Sequence, residues 1–416
     1  MLKWLLVLVA LIVVARAAKA AAFALRPDPA RCAEPRQPQP AAEPGRAGPR
    51  DLSGILEPIR AGAKVPAMAG ALVSGGKVVA IGATGVRKEG EGARATTSDL
   101  WHLGSNTKAM TAAMIATLVE DGTLRWESTV GEVFKDVDMQ EGWRPVTLRE
   151  LLTNRGGAPA NLDADGLWGR LWQFKGTPRE ARMELVRGVL KRPPGKPGVY
   201  TYSNGGFAIA GAMAEEAAGR AWEDLMRERL FLPLRMPSAG FGAPGRPEVP
   251  DQPRGHTAAG KAVEPSPSAD NPVAIGPAGI VHCSLEDWAR YISMHLAGLR
   301  GGSGFLKSET FRMLHEPAAG PGSEQYAMGW GLGTRPWAKG DKAPDGSAPR
   351  GTVLTHSGSN TMWFAVVWIA PEKDFAVLVV CNQGGSRAAK ACDEAVGAII
   401  KFRDEMSRES KPPAGP

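Results

Sequence analysis

Strand-forming sequence lies near both ends of this chain, and helix-forming sequence fills most of the space between them. Residues 68–73 and 77–81 flank Ser74-Gly75-Gly76, a pattern typical of a β-hairpin. Three further strands are predicted near the C-terminus, at residues 352–355, 362–369 and 375–381. Strands from both ends can share one sheet if the segment between them folds outside it. We therefore predict an α+β fold: an antiparallel β-sheet built from the N- and C-terminal segments and flanked by helices, with an inserted, mainly helical lobe.

Helical periodicity, good helix formers and capping residues predict the helices of this lobe and of the layers on the sheet. They lie at residues 52–63, 109–119, 147–152, 207–218, 222–230, 286–296 and 388–402. The segment 240–272 is rich in Pro and Gly, which indicates a long surface excursion. A cleft between the lobe and the sheet is the natural place for a ligand.

The N-terminal residues 1–24 have the features of an export signal: Lys3, about a dozen apolar residues, and then small residues. The apolar stretch is short for a membrane span and basic residues interrupt its extension, so a cleaved signal is the first interpretation and an uncleaved anchor the alternative. The predicted location is the periplasm or the extracellular space, with or without a membrane tether. The predicted organisation then continues with a Pro/Ala-rich linker at 25–50, a folded domain at 51–406 and a disordered tail at 407–416.

Composition argues against several classes of function. The formal net charge of +7 is modest for 416 residues and no long Lys/Arg run occurs, so no nucleic-acid partner is predicted. The six His residues are scattered and no Cys or His pair has metal-ligand spacing, so we predict neither a metal nor another cofactor. Cys381 and Cys392 leave two alternatives open, a disulfide or two buried thiols that act as small apolar residues.

Ser105 and Lys108 lie at the start of the predicted helix 109–119. At a spacing of three they project from one face, with Cβ atoms about 5–6 Å apart, so the amine can reach the hydroxyl. A serine hydroxyl is a weak nucleophile until a base takes its proton, and a lysine in an apolar helix start can lose its own proton near neutral pH. The pattern is common, however, and its alternative interpretation is a helix cap with a solvated lysine.

A second motif, Tyr202-Ser203-Asn204, lies in a loop that leads into the predicted helix 207–218. A phenol with a lowered pKa can pass a proton to a leaving group, and the amide beside it can hold a substrate carbonyl. Taken alone, this motif is better explained by a tyrosine corner next to a helix cap.

A third motif, His356-Ser357-Gly358-Ser359, ends a predicted strand. Glycine at this place lets a substrate approach the strand edge, and the backbone N–H of Ser359 can pair with that of Ser105 to hold an oxyanion. The alternative is an ordinary glycine turn with a surface histidine.

Together the three motifs resemble those of the serine β-lactamase and penicillin-binding-protein superfamily, which has S-x-x-K, a Tyr or Ser motif ending in Asn, and K-T-G in this order. The Tyr-Ser-Asn version is similar to that of class C β-lactamases and their relatives, the β-lactamase-related esterases and D-aminopeptidases. The resemblance covers residues 52–402. It implies a β-lactamase/transpeptidase-like fold and a serine hydrolase that forms an acyl-enzyme.

The resemblance also implies catalytic roles for the motif residues. Ser105 would be the acylated nucleophile, Lys108 its base or proton relay, and Tyr202 a second base. Asn204 would bind the substrate carbonyl. The backbone N–H groups of Ser105 and Ser359 would form the oxyanion hole.

The same resemblance extends to substrate-binding residues. His356, Ser357 and Gly358 match the third motif, which lines the substrate site. Asn161, which follows a Gly-Gly-Ala-Pro-Ala run, matches the amide side chain that contacts the acyl group. The weaker local pattern around Asn161 makes this the least constrained of the matches.

The third motif departs from the family pattern, because His356 stands where β-lactamases have the lysine of K-T-G. That lysine would pair with a β-lactam carboxylate, whereas a histidine is mostly neutral near pH 7. An H-x-G motif is found among D-aminopeptidases and some esterases of the superfamily. We therefore predict hydrolysis of small-molecule or peptide substrates (esters, amides or D-amino-acid peptides), with weak or no β-lactamase activity. The alternative is a catalytically silent sensor or scaffold that binds cell-wall fragments.

Overall fold

A seven-stranded sheet joins the two ends of the chain in the computed structural model, which describes residues 48–302, 304–320 and 325–409. Within these residues the strands are β1 Arg50–Asp51, β2 Ala67–Ser74, β3 Lys77–Gly85, β4 Trp101–His102, β5 Gly240–Phe241, β6 Gly255–His256, β7 Ala262–Val263, β8 Val281–Cys283, β9 Gly331–Thr334, β10 Thr352–Gly358, β11 Phe364–Ala370 and β12 Phe375–Cys381. The order in the large sheet is β1-β3-β2-β12-β11-β10-β9, antiparallel throughout except for the parallel pair β1 and β3. Two small sheets, β4-β8-β5 and β6-β7, lie outside it.

The helices of the described residues cover this sheet and form the inserted lobe. They are α1 Ser53–Ala63, α2 Thr107–Glu120, α3 Val130–Val133, α4 Leu148–Leu152, α5 Leu167–Gln173, α6 Pro178–Leu190, α7 Asn204–Ala218, α8 Trp222–Met226, α9 Gly276–Gly279, α10 Leu285–Leu299, α11 Ser308–His315 and α12 Ser386–Glu409. The chain divides after Gly48, and all of these elements belong to the second unit, Pro49–Pro416.

The strand β12 is buried along its whole length, which explains its continuous apolar sequence. Because side chains alternate between the faces of a strand, Leu378 and Val380 belong to the core shared with α2 and the lobe. Val377 and Val379 belong to a second core, formed with α1 and α12 on the opposite face. The sheet is therefore a layer between two sets of helices.

The predicted fold class is confirmed, because strands from both ends of the chain form the sheet and the helical lobe is inserted between them. The hairpin of β2 and β3 and the three C-terminal strands lie where the sequence predicts them. The predicted cap of α4 is also present, since Thr147 and Glu150 each bond the other's backbone N–H.

The segment 240–272 lies mostly at the surface, as predicted, but it also contains short strands and buried residues. It contributes β5 to one small sheet and both strands of the other, and some of its residues, among them Arg254, His256 and Asp270, are buried. Most of the segment stays at least partly exposed, and its Pro and Gly residues suit strands that are two residues long and joined by turns.

Several element boundaries also differ from the predictions. The helix α7 begins at Asn204, three residues early, because Ser203 caps it through its side chain. The helix α8 ends at Met226 and continues as a π-helix, Arg227–Phe231. At the C-terminus α12 extends to Glu409, so residues 407–409 are helical and do not belong to the predicted tail.

The predicted export signal at 1–24 lies outside the described residues, as does most of the linker at 25–50, although Arg50 already forms part of β1. Among the residues that the structure describes, no helix has the length and apolar character needed to cross a membrane. The described cysteines are Cys283, Cys381 and Cys392, and all three are buried free thiols, so no bridge joins Cys381 to Cys392 here.

A buried ion cluster in the lobe provides a test of this packing. Arg182 of α6 donates to the carboxylates of Glu215 and Glu223, and both Arg182 and Glu215 are fully buried. Glu215→Gln should lower the free energy of unfolding by about 3 kcal/mol, because it leaves a buried guanidinium incompletely paired. Asp165→Asn is the control, since it breaks the exposed Asp165–Arg192 pair and should cost less than about 1 kcal/mol. Urea unfolding measures both, and equal losses would contradict the prediction.

Candidate active site

The hydroxyl of Ser105 lies at the entrance to α2, in a single 3-10 turn formed by Gly104–Asn106. Lys108 lies in the first turn of α2, and its Nζ is 3.0 Å from Oγ of Ser105. Lys108 is fully buried, so it is not the solvated lysine of the alternative interpretation. The structure thus brings the first two predicted residues into direct contact.

The amine of Lys108 has three polar neighbours: Oγ of Ser105, Oδ1 of Asn204 at 2.7 Å and the carbonyl oxygen of Ala278 at 2.9 Å. The amide and carbonyl oxygens can only accept, so the amine donates to both of them. An uncharged amine has two N–H groups and one lone pair, and the lone pair is then left for the Ser105 hydroxyl. This is the starting geometry for proton transfer from serine to lysine.

Burial lowers the pKa of Lys108 well below the ordinary value for a lysine. The rings of Tyr202 and Phe207 lie 4.7 and 5.6 Å from Nζ and favour the ammonium form. Such a contact contributes about 0.5–2 kcal/mol, whereas removing an ammonium from water costs several kcal/mol. Since none of the three hydrogen-bond partners of Nζ is a carboxylate, burial is the larger effect and favours the neutral amine.

The phenol of Tyr202 also contacts the side chain of Ser105. Burial raises the pKa of Tyr202 to about 12, and the bond with Ser105 offsets only part of this rise. Tyr202 is therefore not a phenol with a lowered pKa, because the phenolate would lose hydration and would gain no charged hydrogen-bond partner. Although Tyr202 as a residue is 37% exposed, its hydroxyl remains a neutral donor and acceptor near pH 7.

Asn204, the third residue of that motif, is the first residue of α7. Its Oδ1 is occupied by Lys108, which leaves the Nδ2 group as the donor for a substrate carbonyl. The loop before it is held by Ser203, whose Oγ donates to the carbonyl of Pro159 at 2.6 Å and accepts from the N–H of Gly206. The helix cap therefore fixes the Tyr202 and Asn204 side chains on either side of it.

The end of β10 packs directly against the backbone of the Ser105 turn, and two glycines permit this approach. A Cβ on Gly104 would lie 2.3 Å from the backbone N of Ser359, and one on Gly358 would lie 2.5 Å from that of Ser105. Gly104 also has a φ of +51°, which side chains other than glycine disfavour. The close contact brings the two N–H groups of the predicted oxyanion hole to adjoining positions.

A comparison with known protein families covers all residues of this site. The model for the beta-lactamase family matches residues 52–400, most of the chain. The chain belongs to the β-lactamase family. This family is part of the superfamily of serine-type hydrolases that also contains the penicillin-binding proteins.

Individual members of this β-lactamase superfamily are distant in sequence. Penicillin-binding protein 4 of Amycolatopsis lactamdurans is 27% identical over 80% of this chain and 85% of its own length. The unguisins hydrolase of Aspergillus campestris is 26% identical over 56% of this chain, which spans about half of that relative (46%). The solved structure of an octameric penicillin-binding protein homologue from Pyrococcus abyssi is 23% identical over 86% of this chain and 81% of its own, with a TM-score of 0.66, which shows a shared fold.

The histidine of the third motif is buried, so this motif is not the glycine turn with a surface histidine of the alternative interpretation. His356 is buried, its Nε2 is 3.2 Å from the hydroxyl of Tyr326, and its ring stacks on that of Tyr202. Burial, with a smaller contribution from Lys108, lowers the pKa of His356 to about 3, so the ring is neutral at pH 7. Ser357, the next residue, is exposed in the cleft.

Two cavities border the site. One of about 490 Å³ is lined by Tyr202, His356 and Ser357 and extends over Trp368 toward Asp393. The other, of about 630 Å³, is lined by Asn161 and by Thr201, the residue before Tyr202. In the described structure no hydrogen bond joins Asn161 to Ser105, Lys108, Tyr202 or Asn204, and its match to the amide that contacts the acyl group stays a prediction.

The sequence motifs missed the residues that close the site from behind. The carbonyl of Ala278 accepts from Lys108, and that of Pro277 accepts from the hydroxyl of Thr111 on α2. Backbone acceptors carry no sequence signal, so no pattern could have identified Ala278. Tyr326, which bonds His356, is likewise reached only through the folded chain.

Replacing Lys108 by Met tests whether the buried amine is uncharged. The folded chain binds fewer protons at this lysine than the unfolded chain, because the folded pKa is lowered. The stability of the wild type relative to Lys108→Met should therefore rise by about 1.4 kcal/mol per pH unit between the folded pKa and the ordinary lysine value, and level off above it. Urea unfolding between pH 6 and 10.5 measures this difference. The exposed Lys191→Met variant corrects for general effects of a lost charge, and parallel curves for wild type and Lys108→Met would show a charged amine.

Proposed function

We propose that this protein is an exported serine hydrolase that forms an acyl-enzyme on Ser105 and acts on esters, amides or D-amino-acid peptides, with weak or no β-lactamase activity. The observation that carries the proposal is the contact between the Ser105 hydroxyl and a buried amine whose other two partners are acceptors. A lysine held in this way is ready to accept a proton. Neither a helix cap nor a site that binds an anion needs an uncharged amine at this position.

In the proposed reaction, Oγ of Ser105 attacks a substrate carbonyl and its proton passes to Nζ of Lys108. The N–H groups of Ser105 and Ser359 stabilise the oxyanion that forms on the carbonyl oxygen. Tyr202, a neutral phenol in contact with Ser105, carries the proton onward to the leaving group. Water then attacks the acyl-enzyme by the reverse proton path and releases the acid.

The proposed substrate class depends on His356. A neutral histidine offers one N–H donor and no permanent positive charge, so it supplies little attraction for the carboxylate of a β-lactam. Uncharged leaving groups fit the adjoining cavity better, since tyrosine, phenylalanine and tryptophan rings form much of its wall. Esters and amides with apolar leaving groups are therefore the proposed substrates.

Export is proposed on the residues of the N-terminal leader, 1–24, either as a cleaved signal or as a retained membrane tether. The second candidate function, a binding protein without turnover, is favoured by the name of one relative, penicillin-binding protein 4. The contacts of Lys108 favour turnover, because a silent binding site has no need of an uncharged amine beside the hydroxyl.

Labelling with a fluorophosphonate tests the nucleophile. We expect one covalent adduct on the wild type by intact-mass analysis, no adduct on Ser105→Ala, and at least a hundredfold slower labelling of Lys108→Met because the base is lost. Ser357→Ala is the control, since it removes an exposed hydroxyl of the same cleft and should leave the adduct in place. Turnover of p-nitrophenyl esters or D-amino-acid anilides then separates an enzyme from a silent binding protein. An unlabelled wild type, or an adduct that persists in Ser105→Ala, would overturn the proposal.

His356→Lys tests the proposed specificity. The new cation should raise kcat/KM for the anionic β-lactam nitrocefin at least tenfold, mainly through a lower and salt-dependent KM, while neutral esters gain nothing. Thr123→Lys is the control, because it adds the same charge at an exposed position beyond the far end of α2, away from the cleft. Equal gains in both variants would assign the effect to general electrostatics, and no gain in either would remove His356 as the determinant.

A further inference from the structure

The carboxylate of Asp270 is only 5% exposed and lies beneath the Ser105 turn. Its Oδ2 is 2.8 Å from Nε2 of His102, and its Oδ1 accepts from Nδ2 of Asn360 at 3.0 Å. The backbone N–H of Asn271 also donates to Oδ1, at 2.7 Å. One carboxylate is therefore shared between two segments: the one that precedes Ser105 and the one that follows Ser359.

The hydrogen bonds of His102 indicate which of its ring nitrogens donates and which accepts. The backbone N–H of Gly104 donates to Nδ1 of His102 at 3.1 Å, so Nδ1 carries no proton. The proton is then on Nε2, which donates to Asp270. His102, which is fully buried, thus links the carboxylate to the Leu103–Gly104 peptide group, one peptide before the group that carries the N–H of Ser105.

Asn360 forms the second link. It directly follows Ser359, and its Oδ1 accepts from the backbone N–H of Met362 while its Nδ2 donates to Asp270. The side chain therefore holds the turn after β10 in one conformation. Through Asn360, the same carboxylate restrains the turn that immediately follows Ser359.

We propose that Asp270, acting through His102 and Asn360, is a positioning residue that sets the distance between the N–H groups of Ser105 and Ser359. This inference rests on the proposed function of Ser105. An oxyanion is stabilised only when both donors lie at hydrogen-bond distance from it, and a misplacement of about 1 Å costs about a hundredfold in rate. A charged acceptor holds its donors more tightly than a neutral one, which suits a restraint on two separate segments.

Other bonds already keep these segments in the fold. The N–H of Leu103 donates to the carbonyl of Val281 at 2.9 Å, and Gly104 stays in contact with Ser359 through the glycine packing described above. Loss of Asp270 should therefore shift the two N–H groups without unfolding the domain. The expected signature is a loss in kcat with little change in KM, because substrate binding uses other residues.

Asp270→Asn and Asn360→Ala test the inference. In Asp270→Asn the amide that faces His102 can be satisfied only if His102 moves its proton to Nδ1, which breaks the bond with Gly104. We expect kcat for a p-nitrophenyl ester, normalised to the fluorophosphonate end point, to fall ten- to a hundredfold in both variants, with KM within threefold of the wild type. The affinity for an arylboronic acid, which forms a tetrahedral adduct on serine, should fall by a similar factor.

His256→Asn is the matched control. His256 is also fully buried with both ring nitrogens bonded, to the carbonyl of Asn382 and the N–H of Glu89, and neither partner belongs to the proposed oxyanion hole. It should lower the melting temperature and keep kcat per labelled site. The inference is overturned if Asp270→Asn and Asn360→Ala keep kcat within threefold, or lose kcat without losing boronate affinity. A wild type that is not labelled would instead overturn the proposed function.

Discussion

The burial of one lysine amine is the constraint on which the rest of the site depends. The amine of Lys108 is closed in by α7 through Asn204 and by α9 through Ala278, so an element of the lobe and one from the segment after it must both pack on α2. Most residues of α2 are buried, and its sequence is apolar on every side, as expected of a helix at the centre of a domain. The apolar run that follows Ser105 is thus also what makes its base neutral.

The sheet contributes a strand edge to this buried helix start. The strand β9 pairs with β10 only between Thr352 and Thr355, so in the described structure residues 356–358 are paired on the β11 side and open on the other. An open edge invites pairing with another chain unless something covers or uses it. Here it borders the cavity beside Ser357, where an extended substrate can meet backbone donors and acceptors.

The sequence predicted those parts of the structure that depend on neighbouring residues. Alternation and a Ser-Gly-Gly turn located β2 and β3, and the Thr147–Glu150 pattern located a helix start. It did not predict the role of Asp270, because that residue acts through contacts with His102 and Asn360, which are 168 and 90 positions away. The direction of the Tyr202 pKa shift was also out of reach, since it depends on how much water the folded cleft leaves around the phenol.

The base and the third motif are electrically coupled, which gives the neutral His356 a second consequence. The charged form of Lys108 lowers the pKa of His356, and by reciprocity a cation at position 356 would lower that of Lys108. In this chain burial alone lowers the Lys108 pKa. With a lysine in place of His356, both burial and the nearby positive charge would lower the pKa of the base. The same charge would attract anionic substrates, so the two properties would be linked. With a neutral histidine the two properties separate: burial alone lowers the pKa of the amine, and the proposed preference for uncharged substrates does not depend on it.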